Sequence, residues 1–152
     1  MQVTTEALGE WGRAWESSLI RETQYLRMWG YKMAIGKAVT IGVNGERTTD
    51  EFEIGKSYEL LREAVGGLID VVELRGKGVD MWVNDEGLIL GLEQNPYGTA
   101  LYDEEFGTPQ PIVGNIIITG ACDEEGETLG LTDEQVDFFM NYEGRMLSLI
   151  HI

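Results

Sequence analysis

The stretch that most restricts the fold runs from Lys37 to Ile54, KAVTIGVNGERTTDEFEI. Val39, Ile41 and Val43 alternate with small or polar residues, and Phe52 and Ile54 alternate on the far side. Side chains two apart share one face of a strand, so the spacing predicts two strands with one buried face each. Between them, Asn44-Gly45 supplies the residue types that most readily adopt the positive φ angles of a tight turn. The stretch is therefore expected to form a β-hairpin.

The following segments alternate between helix and strand patterns. KSYELLREAVGG predicts a short helix, with Ser57 as its cap, Leu60, Leu61 and Ala64 inward, and Gly66-Gly67 ending it. LIDVVEL and DMWVN predict strands joined by the loop RGKGVD. Asn84-Asp85-Glu86-Gly87 predicts the turn of a second hairpin leading into LILGLEQ. Pro96 predicts a turn, followed by a helical turn or two in TALYDEEF. IVGNIIIT, rich in β-branched residues, predicts a buried strand. Thr132 and Gln135 match a capping box, which starts a helix over 133–147 in which Val136, Phe139, Met140, Glu143, Met146 and Leu147 keep the helical period. These elements predict an α+β fold: an antiparallel or mixed sheet of about five or six strands, packed by helices at 57–65 and 133–147.

Before Met33 the pattern is different. Trp11, Trp15, Leu19, Leu26 and Trp29 lie on one stripe of an amphipathic helix, interrupted by Glu22. Met33 reads as a fresh start, so residues 1–32 are expected to be an extension of an acidic domain spanning 33–152. The tryptophan stripe needs a partner surface. The domain itself or a homo-oligomer seam is the plainer expectation, and docking to a foreign protein the sharper one.

Charge divides the chain in the same way. The formal net charge is −16, from 27 acids against 11 bases. The first 36 residues balance Glu6, Glu10, Glu16 and Glu22 against Arg13, Arg21, Arg27 and Lys32, so the whole excess lies beyond them. Direct binding to nucleic acid is disfavoured, because that affinity comes largely from Lys and Arg displacing counterions. No basic-then-apolar leader is visible and no span approaches the roughly 20 apolar residues of a membrane helix, so the expectation is a cytoplasmic protein without membrane contact. Cys122, the one cysteine, sits in an acidic stretch without a nearby base and is expected to be inert.

ACDEEGETLGLTDEQ, at 121–135, concentrates the acids. Asp133 and Glu134 fall in the first turn of the final helix, where negative charge is favoured by the helix dipole. Asp123, Glu124, Glu125 and Glu127 do not match a calcium loop, since the glycine arrives too early and Leu129 and Leu131 stand where ligands belong. The sequence contains no GxSxG, HExxH or Walker pattern and no GxGxxG after a strand, and its single histidine, His151, is penultimate. Enzymatic function is disfavoured, and no metal or cofactor is expected. The clusters Asp50-Glu51-Glu53, Asp103-Glu104-Glu105 and Asp123-Glu124-Glu125-Glu127 each lie beside a predicted turn. A solvated face is the bland reading of such runs, and a negative surface for a basic protein the functional one.

The run from YELLREAVGGLIDVVEL through VNDEGLILGLEQNPYGTALY to IVGNIIITGACDEEGETLGL resembles a domain-of-unknown-function family of small proteins from actinobacteria, their plasmids and their phages. The matching residues are Glu63, Gly66 and Gly67; Asn84, Glu86 and Gly87; Asn95 and Ala100; then Gly114, Gly120 and Asp123, covering roughly 57–131. The resemblance implies a mobile-element origin, and it carries no catalytic residue across, because the family supplies no established activity.

The expectation drawn is non-enzymatic binding of a basic host protein through Asp103, Glu104, Glu105, Asp123, Glu124, Glu125 and Glu127. DNA mimicry, or inhibition of a host defence, is one version of it. The alternative is a small-molecule, nucleotide-type binder using Arg75 and Lys77, or a polar groove formed by Asn84, Glu86 and Asn95. In the plainer view each asparagine shapes its own turn.

Overall fold

A computed structural model describes residues 34–144. Five strands, β1 (Ile35–Ile41), β2 (Arg47–Glu53), β3 (Ile69–Leu74), β4 (Val79–Asn84) and β5 (Ile116–Gly120), form an antiparallel sheet in the order β2-β1-β5-β4-β3. Four helices accompany them among the described residues: α1 (Tyr58–Val65), α2 (Gly87–Leu90), α3 (Pro96–Phe106) and α4 (Asp133–Met140). The fold is α+β, as the pattern predicts. The expected N-terminal helix, with Trp11, Trp15, Leu19, Leu26 and Trp29, lies outside the described residues.

The hairpin forms where Asn44-Gly45 stands. Gly45 N–H donates to Gly42 O at 2.9 Å, Gly45 takes φ +89°, and Gly42 N–H closes the ladder on Glu46 O at 2.8 Å. A three-residue loop whose last residue is left-handed is a standard hairpin solution. Asn44 Oδ1 accepts from Glu46 N–H at 3.0 Å and fastens the turn.

β5 is the central strand, and all five of its residues are buried. Its neighbours pair in register, Val39 with Ile118 and Ile41 with Ile116 on one side, Met81 with Ile118 and Trp82 with Ile117 on the other. Alternation then sorts the side chains. Val39, Ile41, Leu74, Val79, Met81, Ile116 and Ile118 face one way, onto Ala100 and Leu101 of α3 and Phe139 of α4. Ala38, Phe52 and Ile117 face the other way, onto Leu61 and Val65 of α1. Helices on both faces explain why β5 reads as an unbroken apolar run rather than an alternating one.

Four expectations are corrected. LILGLEQ is not a strand: β4 ends at Asn84, Asn84 Oδ1 accepts from Glu86 N–H at 2.8 Å, and the chain turns into α2. TALYDEEF belongs to a full helix of 11 residues, because Asn95 caps it and Pro96 opens it. Ser57 stands at the start of α1, but its side chain makes no capping hydrogen bond. The last helix ends at Met140 rather than at 147. Its final carbonyls are taken by Arg47: Nη1 donates to Phe139 O at 2.9 Å and Met140 O at 3.0 Å, and Nη2 to Tyr142 O at 2.7 Å. A cation placed on the orphan carbonyls also opposes the negative end of the helix dipole.

Candidate partner interface

Strand direction decides where the acids go. β1 and β4 begin, and β2, β3 and β5 end, at one end of the sheet. The β3–β4 turn, the last turn of α3, the first turn of α4 and the segment 121–132 meet there. Glu105 accepts Gly76 N–H at 3.0 Å through Oε1, and Lys77 Nζ lies 3.1 Å from Glu104 Oε1. Gln135 Nε2 donates to Lys77 O at 3.3 Å, and Leu131 N–H donates to Lys37 O at 2.9 Å. Asp103-Glu104-Glu105 and the 123–127 run, distant in sequence, thus share one end of the sheet. Glu53, at the end of β2, joins them, because the following Gly55 lies against Glu127.

The acids at this end have unequal roles. Asp123 Oδ1 accepts from Glu125 N–H at 2.8 Å and Glu127 N–H at 2.9 Å, so this carboxylate builds the turn that presents its neighbours. Glu104 bridges Lys77 and the Tyr142 hydroxyl, which donates to Oε2 at 2.8 Å. Burial first, and that bond second, push the Tyr142 hydroxyl far above the usual tyrosine range. Glu124 and Glu125 are exposed at the tip of the turn. Asp133 is exposed and holds Lys37 at 3.0 Å; that hydrogen bond, with the aspartate charge, raises the Lys37 pKa.

The other candidate residues are committed to the fold. Asn95 is fully buried: its Oδ1 accepts from Tyr97 N–H and Gly98 N–H, and its Nδ2 donates to Ile41 O at 3.1 Å and Gly114 O at 2.9 Å. Asn84 ties β4 to α1 by donating from Nδ2 to Val65 O at 3.1 Å. Glu86 is exposed beside it. Arg75 is held by Glu73 at 2.6 Å, as Lys77 is by Glu104. The two cations suggested for an anionic ligand are thus each neutralised by a neighbouring carboxylate.

A family model described as Domain of unknown function (DUF3846) matches residues 37–144. The chain belongs to the DUF3846 family. No curated protein and no solved structure matches it. The DUF3846 match extends past the 57–131 resemblance on both sides, taking in the β1–β2 hairpin and α4, which complete the sheet and its covering layer.

Sequence reasoning missed one feature of this DUF3846 domain. A cleft of about 260 Å³ opens between the β3–β4 turn and the strand end at Ala121, lined by Glu73, Arg75, Asp80 and Cys122 among others. Asp80 is buried, and Cys122 Sγ donates to its Oδ2 at 3.6 Å. Burial raises both pKa values, and the Asp80 charge raises the thiol further. A thiol held protonated by a carboxylate is a poor nucleophile. The clue was present in VDMWVN, where Asp80 and Trp82 occupy the same face of one strand. Among the described residues no group of three or more His, Cys, Asp and Glu side chains is placed to hold a metal, and no helix is long and apolar enough to cross a membrane.

Proposed function

We propose that this protein is a non-enzymatic binding protein that offers its acidic end to a basic partner protein, as an accessory factor of a phage or plasmid. The observation that carries the reading is the convergence of three sequence-distant acidic segments, around Glu53, Asp103–Glu105 and Asp123–Glu127, at one end of the sheet. Concentrated negative charge accelerates encounter with a basic surface and weakens as salt screens it. A solvated face needs no such concentration. The nucleotide-binder alternative has less support, because Arg75 and Lys77 already pair with Glu73 and Glu104. DNA mimicry is the specific version in which the partner is itself a DNA-binding protein.

The test compares the full-length chain with Asp103→Asn/Glu124→Gln/Glu125→Gln, and with Asp85→Asn/Glu86→Gln at the opposite end. Each is immobilised and exposed to host lysate at about 50 mM and about 500 mM NaCl. A basic protein should be retained at low salt by wild type and by the Asp85/Glu86 variant, and lost from the acidic-end variant and at high salt. Retention unaffected by neutralising the acidic end would refute the proposal. Release of the captured protein by duplex DNA would support mimicry.

A further inference from the structure

Asp80 sits in a row of polar residues that crosses three strands. In register, Glu73 of β3 faces Asp80 of β4, and Asp80 faces Thr119 of β5. Residues paired in this way share one face of the sheet, and two carboxylates directly opposite each other are destabilising. Asp80 is also only 4% exposed. A buried carboxylate is costly unless a cation or strong donors compensate it.

The donors around it are committed elsewhere. Trp82 Nε1 donates to Thr119 Oγ1 at 2.9 Å, and the Thr119 hydroxyl donates to Gly120 O at 3.0 Å. Arg75 gives both Nε, at 3.1 Å, and Nη2, at 2.6 Å, to Glu73 Oε1. Lys77 lies on Glu104. Asp80 is left with Cys122, whose backbone N–H and thiol both donate to it, the thiol weakly at 3.6 Å. Burial is the first cause of the raised Asp80 pKa, and among the described residues no cation is bonded to this carboxylate to offset it.

The cleft of about 260 Å³ opens onto this group. Glu73 and Arg75 cancel each other and the Cys122 thiol is held protonated, so the charge left in the lining is that of Asp80. That charge disfavours an anion. A metal ion lacks a third ligand among the described residues. The volume falls below the roughly 300–1,000 Å³ of sites for drug-sized ligands, which suits one short chain and not a nucleotide. Val79 and Ala121 line the cleft without adding a polar side chain.

We propose that this cleft is a binding site for a primary alkylammonium group, which donates to Asp80 and to Glu73 Oε2, the oxygen Arg75 leaves unused, and lays its chain along Val79 and Ala121. A compact ammonium brings three donors and the positive charge that Asp80 lacks. It arrives as the side chain of a lysine or as a free amine; the chemistry at the cleft is the same. The site stands apart from the acidic-end reading, since it uses none of Asp103, Glu124 or Glu125.

The probes are n-butylammonium, n-butyltrimethylammonium and n-butanol, each titrated at about 150 mM NaCl into the full-length chain carrying labelled backbone amides and aspartate carboxyls. Butylammonium should move the Asp80 carboxyl and Cys122 amide resonances saturably and lower the apparent Asp80 pKa, because a bound cation favours the ionised form. The trimethyl compound, with the same charge and no N–H, should bind about tenfold more weakly or worse, and butanol should leave Asp80 unmoved. Asp80→Asn should weaken butylammonium by about tenfold or more, read at the Cys122 amide, while Asp103→Asn/Glu124→Gln/Glu125→Gln should bind it as wild type does. Equal binding of the two ammonium compounds, or loss of binding in the acidic-end variant, would assign the effect to the general negative field and overturn the site. No saturable shift at Asp80 would also overturn it, and would leave the acidic-end reading standing. Acetyl-Gly-Lys-Gly-amide separates the sources: a matching shift at Asp80 assigns the cleft to a lysine side chain, and butylammonium binding without the peptide assigns it to a free amine.

Discussion

At the scale of single residues, polar side chains inside the domain do more to specify this fold than the acids outside it. Asn95 satisfies four backbone groups from a fully buried position, joining β1, the start of α3 and the approach to β5. Asn95→Ala should cost about 2–4 kcal/mol in urea unfolding, and Asn95→Asp at least as much, since a carboxylate cannot donate to Ile41 O and Gly114 O. Arg47→Ala should cost about 2–3 kcal/mol for the uncapped end of α4, and Arg47→Lys should recover only part, having no planar fork to span three carbonyls. Asp80 works against stability. Its raised pKa means the folded protein holds that proton more tightly than the unfolded chain does. Stability from this group therefore falls as pH rises from the usual aspartate value through the raised one, and stays lower above it. Asp80→Asn should raise the thermal midpoint more at pH 7 than at pH 4, and an equal shift at both would contradict the assignment.

At the scale of elements, local rules worked where the chain satisfies its own backbone. The capping box is formed as written: Thr132 Oγ1 accepts from Gln135 N–H at 3.1 Å and Gln135 Oε1 from Thr132 N–H at 2.9 Å. Thr132→Ala should cost about 1 kcal/mol by thermal denaturation. The rules failed where distant elements intervened. Helix α4 ends with its last carbonyls held by Arg47, nearly a hundred residues earlier, and nothing in the 133–147 periodicity carries that information. Gly130 is a second case. A Cβ there would overlap Gly36 Cα and Lys37 N, and one at Gly120 would overlap Gly130 O. These glycines let the segment after β5 cross directly over the start of β1, a close approach of backbones that no local pattern reveals. Gly130→Ala should abolish or severely impair folding, with loss of native circular dichroism as the measurement.

At the scale of the whole molecule, the described domain carries the acidic clusters at one end of its sheet and, at the other, an apolar projection, Leu88, Ile89 and Leu90 of α2, exposed by 72%, 85% and 57%. Like charges crowded at one end repel, and salt relieves the repulsion. Raising NaCl from about 20 mM to about 0.5 M should stabilise the domain by about 1 kcal/mol, roughly 4 °C in thermal midpoint. A midpoint that falls with salt would mean that pairs such as Lys77–Glu104 outweigh the repulsion.

The strands around Asn44-Gly45, the capping box, the buried β5 and the α+β class were legible in the chain alone, because side-chain period, turn geometry and helix ends depend on neighbours within a few residues. The site was legible only in part. Composition identified the acids, yet their gathering at one end follows from strand direction and from α3 returning to the β3–β4 turn. The Asp80–Cys122 contact and the cleft beside it depend on which strands become neighbours and which residues face each other across register. Those are outcomes of long-range packing, decided when the sheet closes over β5, and local preference does not encode them.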